Sequence, residues 1–178
     1  DLVAVNALIR PGPLDSGMTD VYIERKRGLK IVEYPHPDLQ EILEPTYGVI
    51  TYQEQVMQAA NLLAGFSYSE GDVLRKAVGK KDAQLTDKVL HDFIERAVER
   101  GTSETKASEV AELIRTFGRY GFNKAHSVAY ALLSYRTAWL KAYYPAEFMA
   151  ALLSSEIGST DAVVSYIASA RMLGLRVL

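Results

Sequence analysis

The chain has no cysteine, one tryptophan and three histidines among its 178 residues. Without cysteine there is neither a disulfide framework nor cysteine-ligated zinc, and this usage agrees with a reducing compartment. His36, His91 and His126 lie too far apart in sequence to suggest a metal site; His36, between two prolines, reads as a turn residue and His91 as a solvated one. No apolar run approaches the roughly 20 residues needed to cross a bilayer. The N-terminus also lacks the order of basic, apolar and small residues that marks a secretory signal. The expectation is a cytoplasmic protein with no membrane partner. Enzyme signatures are missing too: there is no G-x-S-x-G, H-E-x-x-H, Walker A or G-x-G-x-x-G run.

A further scarcity is local. No acid occurs at 73–81, which holds Arg75, Lys76, Lys80 and Lys81, or at 113–146, which holds Arg115, Arg119, Lys124, Arg136 and Lys141. Between them lie Asp82, Asp87, Asp92, Glu95, Glu99, Glu104, Glu109 and Glu112, so charge is segregated along the chain although the net value is only −2. A near-neutral total excludes a surface that coats nucleic acid all round and leaves polyanion binding to local clusters.

What is present is ordinary globular composition, 48% hydrophobic and 24% charged, with length enough for one well-cored domain or two small ones, one core being the simpler expectation. Apolar residues recur at spacings of three and four, and the ends of these runs carry caps. Thr51 and Glu54 read as a capping box for a helix through Val56, Ala59, Ala60 and Leu63 that stops at Gly65. Ser69 and Asp72 form a weaker box for a short helix ending at Gly79. Thr86 is expected to cap an amphipathic helix bearing Val89, Leu90, Phe93, Ile94, Ala97 and Val98. Ser103 opens the next, with Val110, Leu113, Ile114 and Phe117 in its stripe and Gly118 at its close. Asn123 is a good N-cap for 124–143, Pro145 suits the first turn of a helix over 146–154, and a last helix runs over 161–173.

Strand signal is confined to 47–52 ("YGVITY") and the terminal "LRVL". The fold class is therefore mainly α, with helix over about 60% or more of residues and one or two short strands. "RPGPLDSG" and "EYPHPDL" read as turns. Asp1 precedes an apolar run without a cap and Leu178 falls inside an unfinished element, so the chain is expected to be a piece of something larger.

Two stretches could carry chemistry. If Asn123 caps a helix, first-turn N–H groups point outward with partial positive charge, and Lys124 and His126 add donors at the same end, making an anion site. Ser127, Tyr130, Ser134, Thr137 and Lys141 then form a hydroxyl face, while Val128, Leu132, Tyr135 and Trp139 form a face expected to enter the core. The alternative is an ordinary amphipathic helix with a polar outside. At 73–81, Arg75, Lys76 and Lys80 form adjacent rows of cations that could reach a polyanion; the alternative is a solvated basic surface. "ERKRG" at 24–28 is a weaker cluster, explained by a helix C-terminus.

Four stretches in this order, "IRPGPLDSGM", "LEPTYGVITYQEQVMQ", "LRKAVGKK" and "YGFNKAHSVAYALLSYRTAWLKAYYPAEFMAALL", resemble the alpha, or polymerase, subunit of bacterial DNA polymerase III, a C-family DNA polymerase. The resemblance covers nearly the whole chain. It implies that 1–178 is the helical fingers region, with 1–15 near the junction to the palm. It further implies that Arg75 and Lys76 contact the incoming deoxynucleoside triphosphate, that Tyr120 and His126 lie beside the nascent base pair, and that Asn123 and Lys124 belong to the same surface. Lys80 and Lys81 are additional polyanion contacts. Lys76 replaces the family's usual arginine, which keeps the charge and loses the bidentate fork.

The parent protein is then a DNA-directed DNA polymerase, a replicative nucleotidyltransferase. Its partners are primer-template DNA, deoxynucleoside triphosphates, a sliding clamp and other replisome subunits, the protein contacts lying outside this chain. The catalytic aspartates and the Mg2+ they hold also fall upstream, so this chain has no catalytic residue or metal ligand and is expected to be inactive alone. A second class of function is a non-enzymatic helical module that binds a protein partner or polyanion. An upstream carboxylate motif in the flanking gene would separate the two.

Overall fold

The computed structural model describes residues 1–80 and 82–177, with the backbone alone at 117. The expected roles of Lys81 and of the Phe117 side chain therefore lie outside the described residues. Helix accounts for 75% of the structure, as the mainly α expectation requires. The α-helices are α1 (Leu2–Leu8), α2 (Pro11–Asp15), α3 (Met18–Lys26), α4 (Gln40–Leu43), α5 (Gln53–Ala64), α6 (Tyr68–Lys80), α7 (Ala83–Glu99), α8 (Glu104–Gly118), α9 (Lys124–Tyr143), α10 (Pro145–Ser155) and α11 (Thr160–Met172). The chain divides into two compact units, one containing Val3–Val128 and the other Ala129–Leu178.

In the first unit α5, α6, α7 and α8 pack together around Val56, Leu63, Phe66, Leu74, Leu90, Phe93, Val110 and Ile114, all buried. Phe66 and Phe93 meet edge to face at 6.3 Å, the arrangement ring quadrupoles favour. A smaller cluster of Ala4, Leu8, Met18, Tyr22 and Val49 joins α1 to α3, and Thr19 Oγ1 donates to Leu8 O at 2.9 Å across that joint. In the second unit α10 packs on α11, with Met149 and Ala170 buried.

Several expected caps move. Residue 52, not Thr51, precedes α5, because Gln55 Oε1 reaches back to accept from both Thr51 N and Tyr52 N at 2.9 Å. The box for α6 is Ser67 with Glu70, whose Oε2 accepts from Ser67 N at 2.7 Å while Ser67 Oγ accepts from Glu70 N at 3.3 Å. Asp82 caps α7 by accepting from Leu85 N at 3.1 Å, which starts the helix earlier and leaves Thr86 buried within it. Ser103 Oγ accepts from Lys106 N at the start of α8 as expected, and α9 has the predicted bounds.

Other expectations fail for identifiable reasons. "RPGPLDSG" contains α2, since Pro11 at the first helical position pre-sets φ. The 47–52 segment is no strand: Tyr47 and Gly48 both take left-handed conformations, φ 52 and 77, which break an extended run. Only an isolated parallel bridge between Tyr52 and Phe122 remains, and the described residues contain no strand, 175–177 included. Along α9 the face of Val128, Leu132, Tyr135 and Trp139 is exposed rather than in the core. Periodicity identifies an apolar stripe but says nothing about whether a partner covers it.

Glu70 also links α6 to α7. Its Oε1 accepts from Arg96 Nη2 at 2.8 Å. That bond first, then the Ser67 backbone N–H, lowers its pKa to about 2. A carboxylate depressed in the folded state adds stability above its unfolded pKa and loses it as pH falls through the folded value. Denaturant midpoints of the native chain and Glu70→Gln should therefore differ by a constant amount above about pH 5, and the gap should narrow toward pH 2. A gap independent of pH over that range would contradict this role for Glu70.

Candidate anion-binding site

Three consecutive side chains at the start of α5 reach three different neighbours. The backbone first fixes their position: Gln53 N donates to Phe122 O and Phe122 N donates to Thr51 O, both at 3.0 Å. Gln55 turns inward, 4% exposed. Beyond its two bonds to 51 and 52, its Nε2 donates to Thr46 Oγ1 at 2.7 Å and to Ile42 O at 3.1 Å. All its strong hydrogen-bonding positions are used, which is what permits burial of an amide. Gln53 Oε1 accepts from Arg75 Nη1 on α6 at 3.1 Å. Glu54 accepts from Asn123 Nδ2 at 3.0 Å and from Lys124 N at 3.1 and 3.0 Å, one to each oxygen.

The basic rows on α6 are not free of acid in space. Asp72 Oδ1 accepts from Arg75 Nε at 2.8 Å and ion-pairs with Arg75 Nη2 at 2.8 Å, and Asp72 Oδ2 pairs with Lys76 Nζ at 2.6 Å. Bonds from Lys76 first and Arg75 second hold the Asp72 carboxyl below its usual range. Lys80 is exposed near the end of the same helix. A linear window that opens at residue 73 stops one position short of this counter-ion, although Asp-x-x-Arg-Lys is the i, i+3 and i, i+4 spacing at which helical side chains meet.

Asn123 caps α9 as expected, its Oδ1 accepting from His126 N at 2.7 Å. The outward N–H of Lys124, expected to await an anion, instead faces Glu54, so an acceptor from α5 occupies this helix start. Lys124 Nζ lies 5.7 Å from the centre of the buried Tyr52 ring, and burial pushes the Tyr52 hydroxyl up to about 12. His126 meets Phe122 edge to face at 5.3 Å. Phe122 lies under the Arg10 guanidinium at 4.7 Å, and Arg10 Nη2 donates to Tyr120 O. The Tyr120 ring packs so closely on α2 that a Cβ at Gly12 would come within 2.4 Å of it.

Arg75 and the 123–126 turn thus converge on adjacent residues, Gln53 and Glu54, while Lys76 sits one turn away on Asp72. Tyr120 joins through Arg10 and the 120–122 backbone. The predicted hydroxyl face is only partly realised: Ser127 is fully buried and donates to Val3 O, and Thr137 Oγ1 turns back to Leu133 O. In "ERKRG", Arg25 is a packed residue that donates to Tyr47 O at 3.1 Å rather than a cation serving the helix end. Sequence reasoning missed Arg10, Gln53, Glu54 and Asp72. Of these only Asp72 left a local signal; the others act at separations of 22 residues or more.

The sequence model of the bacterial DNA polymerase III alpha subunit finger domain matches residues 1–101. The chain is 51% identical to the DNA polymerase III subunit alpha of Campylobacter jejuni over 178 residues, which is all of this chain and 15% of that protein. Identity to the subunit alpha of Aquifex aeolicus is also 51%, with the same coverage. To that of Escherichia coli it is 46% over 183 positions, all of this chain and 16% of that protein. The chain therefore spans about 15% of the length of the curated relatives it matches.

Glu54→Ala should loosen the first turn of α9. A carboxylate at an exposed helix N-terminus is worth about 0.3–1 kcal/mol, and up to about 2 in partly buried geometry. Amide hydrogen exchange at Lys124 should accelerate roughly 2- to 10-fold, with the α7 core unaffected. Unchanged exchange at Lys124 would show that the Glu54 contact does not hold the turn.

Proposed function

Because the chain belongs to the bacterial DNA polymerase III alpha subunit finger-domain family, we propose that it binds the incoming deoxynucleoside triphosphate and the nascent base pair during template-directed DNA synthesis. Arg75 and Lys76 take the triphosphate, with Lys80 as a further contact. Asn123 and Lys124 at the start of α9 take the same anion by displacing Glu54 from them, and Tyr120 and His126 lie beside the new pair. The parent protein is a cytoplasmic DNA-directed DNA polymerase acting on primer-template DNA with replisome partners, and residues 1–15 lie near its palm.

The observation that carries this reading is the convergence of Arg75 and the 123–126 turn on neighbouring side chains of α5. Two donor sets far apart in sequence are thereby held as one surface. Glu54 supports it further: a carboxylate already accepts from Lys124 N, so the geometry there suits an anionic oxygen. Fixed donors of this kind lower the barrier to phosphoryl transfer by positioning the substrate and by stabilising its charge. Among the described residues no group of three or more His, Asp or Glu could hold a metal ion. On this reading carboxylates outside this chain would hold the Mg2+ of the parent enzyme.

In the full-length polymerase, Arg75→Ala should remove a charge-assisted contact worth about 1.5–3 kcal/mol and lower kcat/KM roughly 10- to 150-fold. Lys26→Ala, the loss of one positive charge that pairs with Asp1, should change little. His126→Ala should alter discrimination between correct and incorrect nucleotides as well as rate. Single-turnover incorporation across nucleotide concentrations measures all three, and equal behaviour of Arg75→Ala and Lys26→Ala would refute the assignment at α6.

A further inference from the structure

Asp72 engages both cations that the proposed function assigns to the triphosphate. Its Oδ1 accepts from Arg75 Nε at 2.8 Å and ion-pairs with Arg75 Nη2 at 2.8 Å, and its Oδ2 pairs with Lys76 Nζ at 2.6 Å. The group is reachable by solutes, since the side chains of Asp72, Arg75 and Lys76 are 35%, 27% and 55% exposed. Gln53 holds the remaining face of Arg75 through Nη1, so the guanidinium keeps one anchor when the carboxylate lets go. The arrangement is a cation pair half-neutralised by one carboxylate rather than an open one.

We propose that Asp72 is an internal counter-ion that any phosphate must displace from Arg75 and Lys76, and that recaptures both cations when the phosphate leaves. This rests on the assignment of Arg75 and Lys76 to the triphosphate. The cost of displacement is a property of the protein, so it falls equally on every ligand that needs those donors. Substrate triphosphate and product pyrophosphate are both held more loosely than two unpaired cations would hold them, and the product is released into competition with a carboxylate already in place. Asp72 therefore sets affinity, while discrimination between ligands arises from other contacts.

The opposite role, in which Asp72 pre-orients Arg75 for the ligand, makes the opposite prediction, because loss of the carboxylate would then weaken binding. The test uses the full-length polymerase carrying Asp72→Asn, Asp72→Glu or Arg75→Ala. It measures the apparent Kd for the correct nucleotide in single turnovers and the inhibition constant for pyrophosphate. Asp72→Asn should lower both by a common factor, roughly 1.5- to 5-fold for a pair this exposed, and Asp72→Glu should stay near the native values. Destabilisation of α6 cannot produce tighter binding, so this direction separates a counter-ion from a structural residue. Arg75→Ala that weakens nucleotide binding, together with Asp72→Asn that leaves it unchanged or weaker, overturns the counter-ion and preserves the site. Arg75→Ala without effect on nucleotide binding overturns the site assignment and the counter-ion with it.

Discussion

Gln53, Glu54 and Gln55 sit on the first turn of α5, where successive side chains point about 100° apart, and each direction meets a different part of the molecule. Gln55 points inward and ties the turn to Ile42, Thr46, Thr51 and Tyr52; Glu54 meets the start of α9; Gln53 meets α6. The two backbone bonds between 51–53 and Phe122 keep the turn from rotating. The cationic surface depends on this constraint, because Arg75 and Lys124 have no hydrogen bond or ion pair with each other among the described residues and take their mutual placement from adjacent α5 residues.

Electrostatics on this surface work by counter-ions held close. Arg75 and Lys76 share Asp72, the α9 start is met by Glu54, and Arg115 pairs with Asp87 and Glu112. Each carboxylate lies just outside an acid-free stretch of sequence or approaches from another element. Segregation of charge along a chain consequently does not produce a bare positive field. It produces cations that each stand beside a carboxylate, so a phosphate at the proposed site would exchange one ion pair for another.

The helices were legible because their determinants are local: apolar spacing fixes a face, and a side-chain oxygen fixes a start. Thr86 misled because a hydroxyl within a helix reads like a cap, whereas Asp82, four residues earlier, accepts from Leu85 N and sets the start. The 47–52 stretch misled because its β-prone residues follow two left-handed positions. Trp139 and Tyr135 misled because an apolar stripe reports a preference for burial and not the presence of a neighbour. Arg75, Lys76, Asn123, Lys124 and His126 were marked as candidates by charge and capping alone. Gln53 and Glu54 were not, since an uncharged amide and a surface acid carry no local mark of contacts 22 and 69 residues away.

The central claim is that α6 and the start of α9 form one anion-binding surface through the first turn of α5. Nitrogen-edited NMR of the chain titrated with inorganic triphosphate tests it most directly. The Arg75 Nε–H and Lys124 amide resonances should move together along a single isotherm with one Kd. Separate isotherms, or movement of either without the other, would contradict the account.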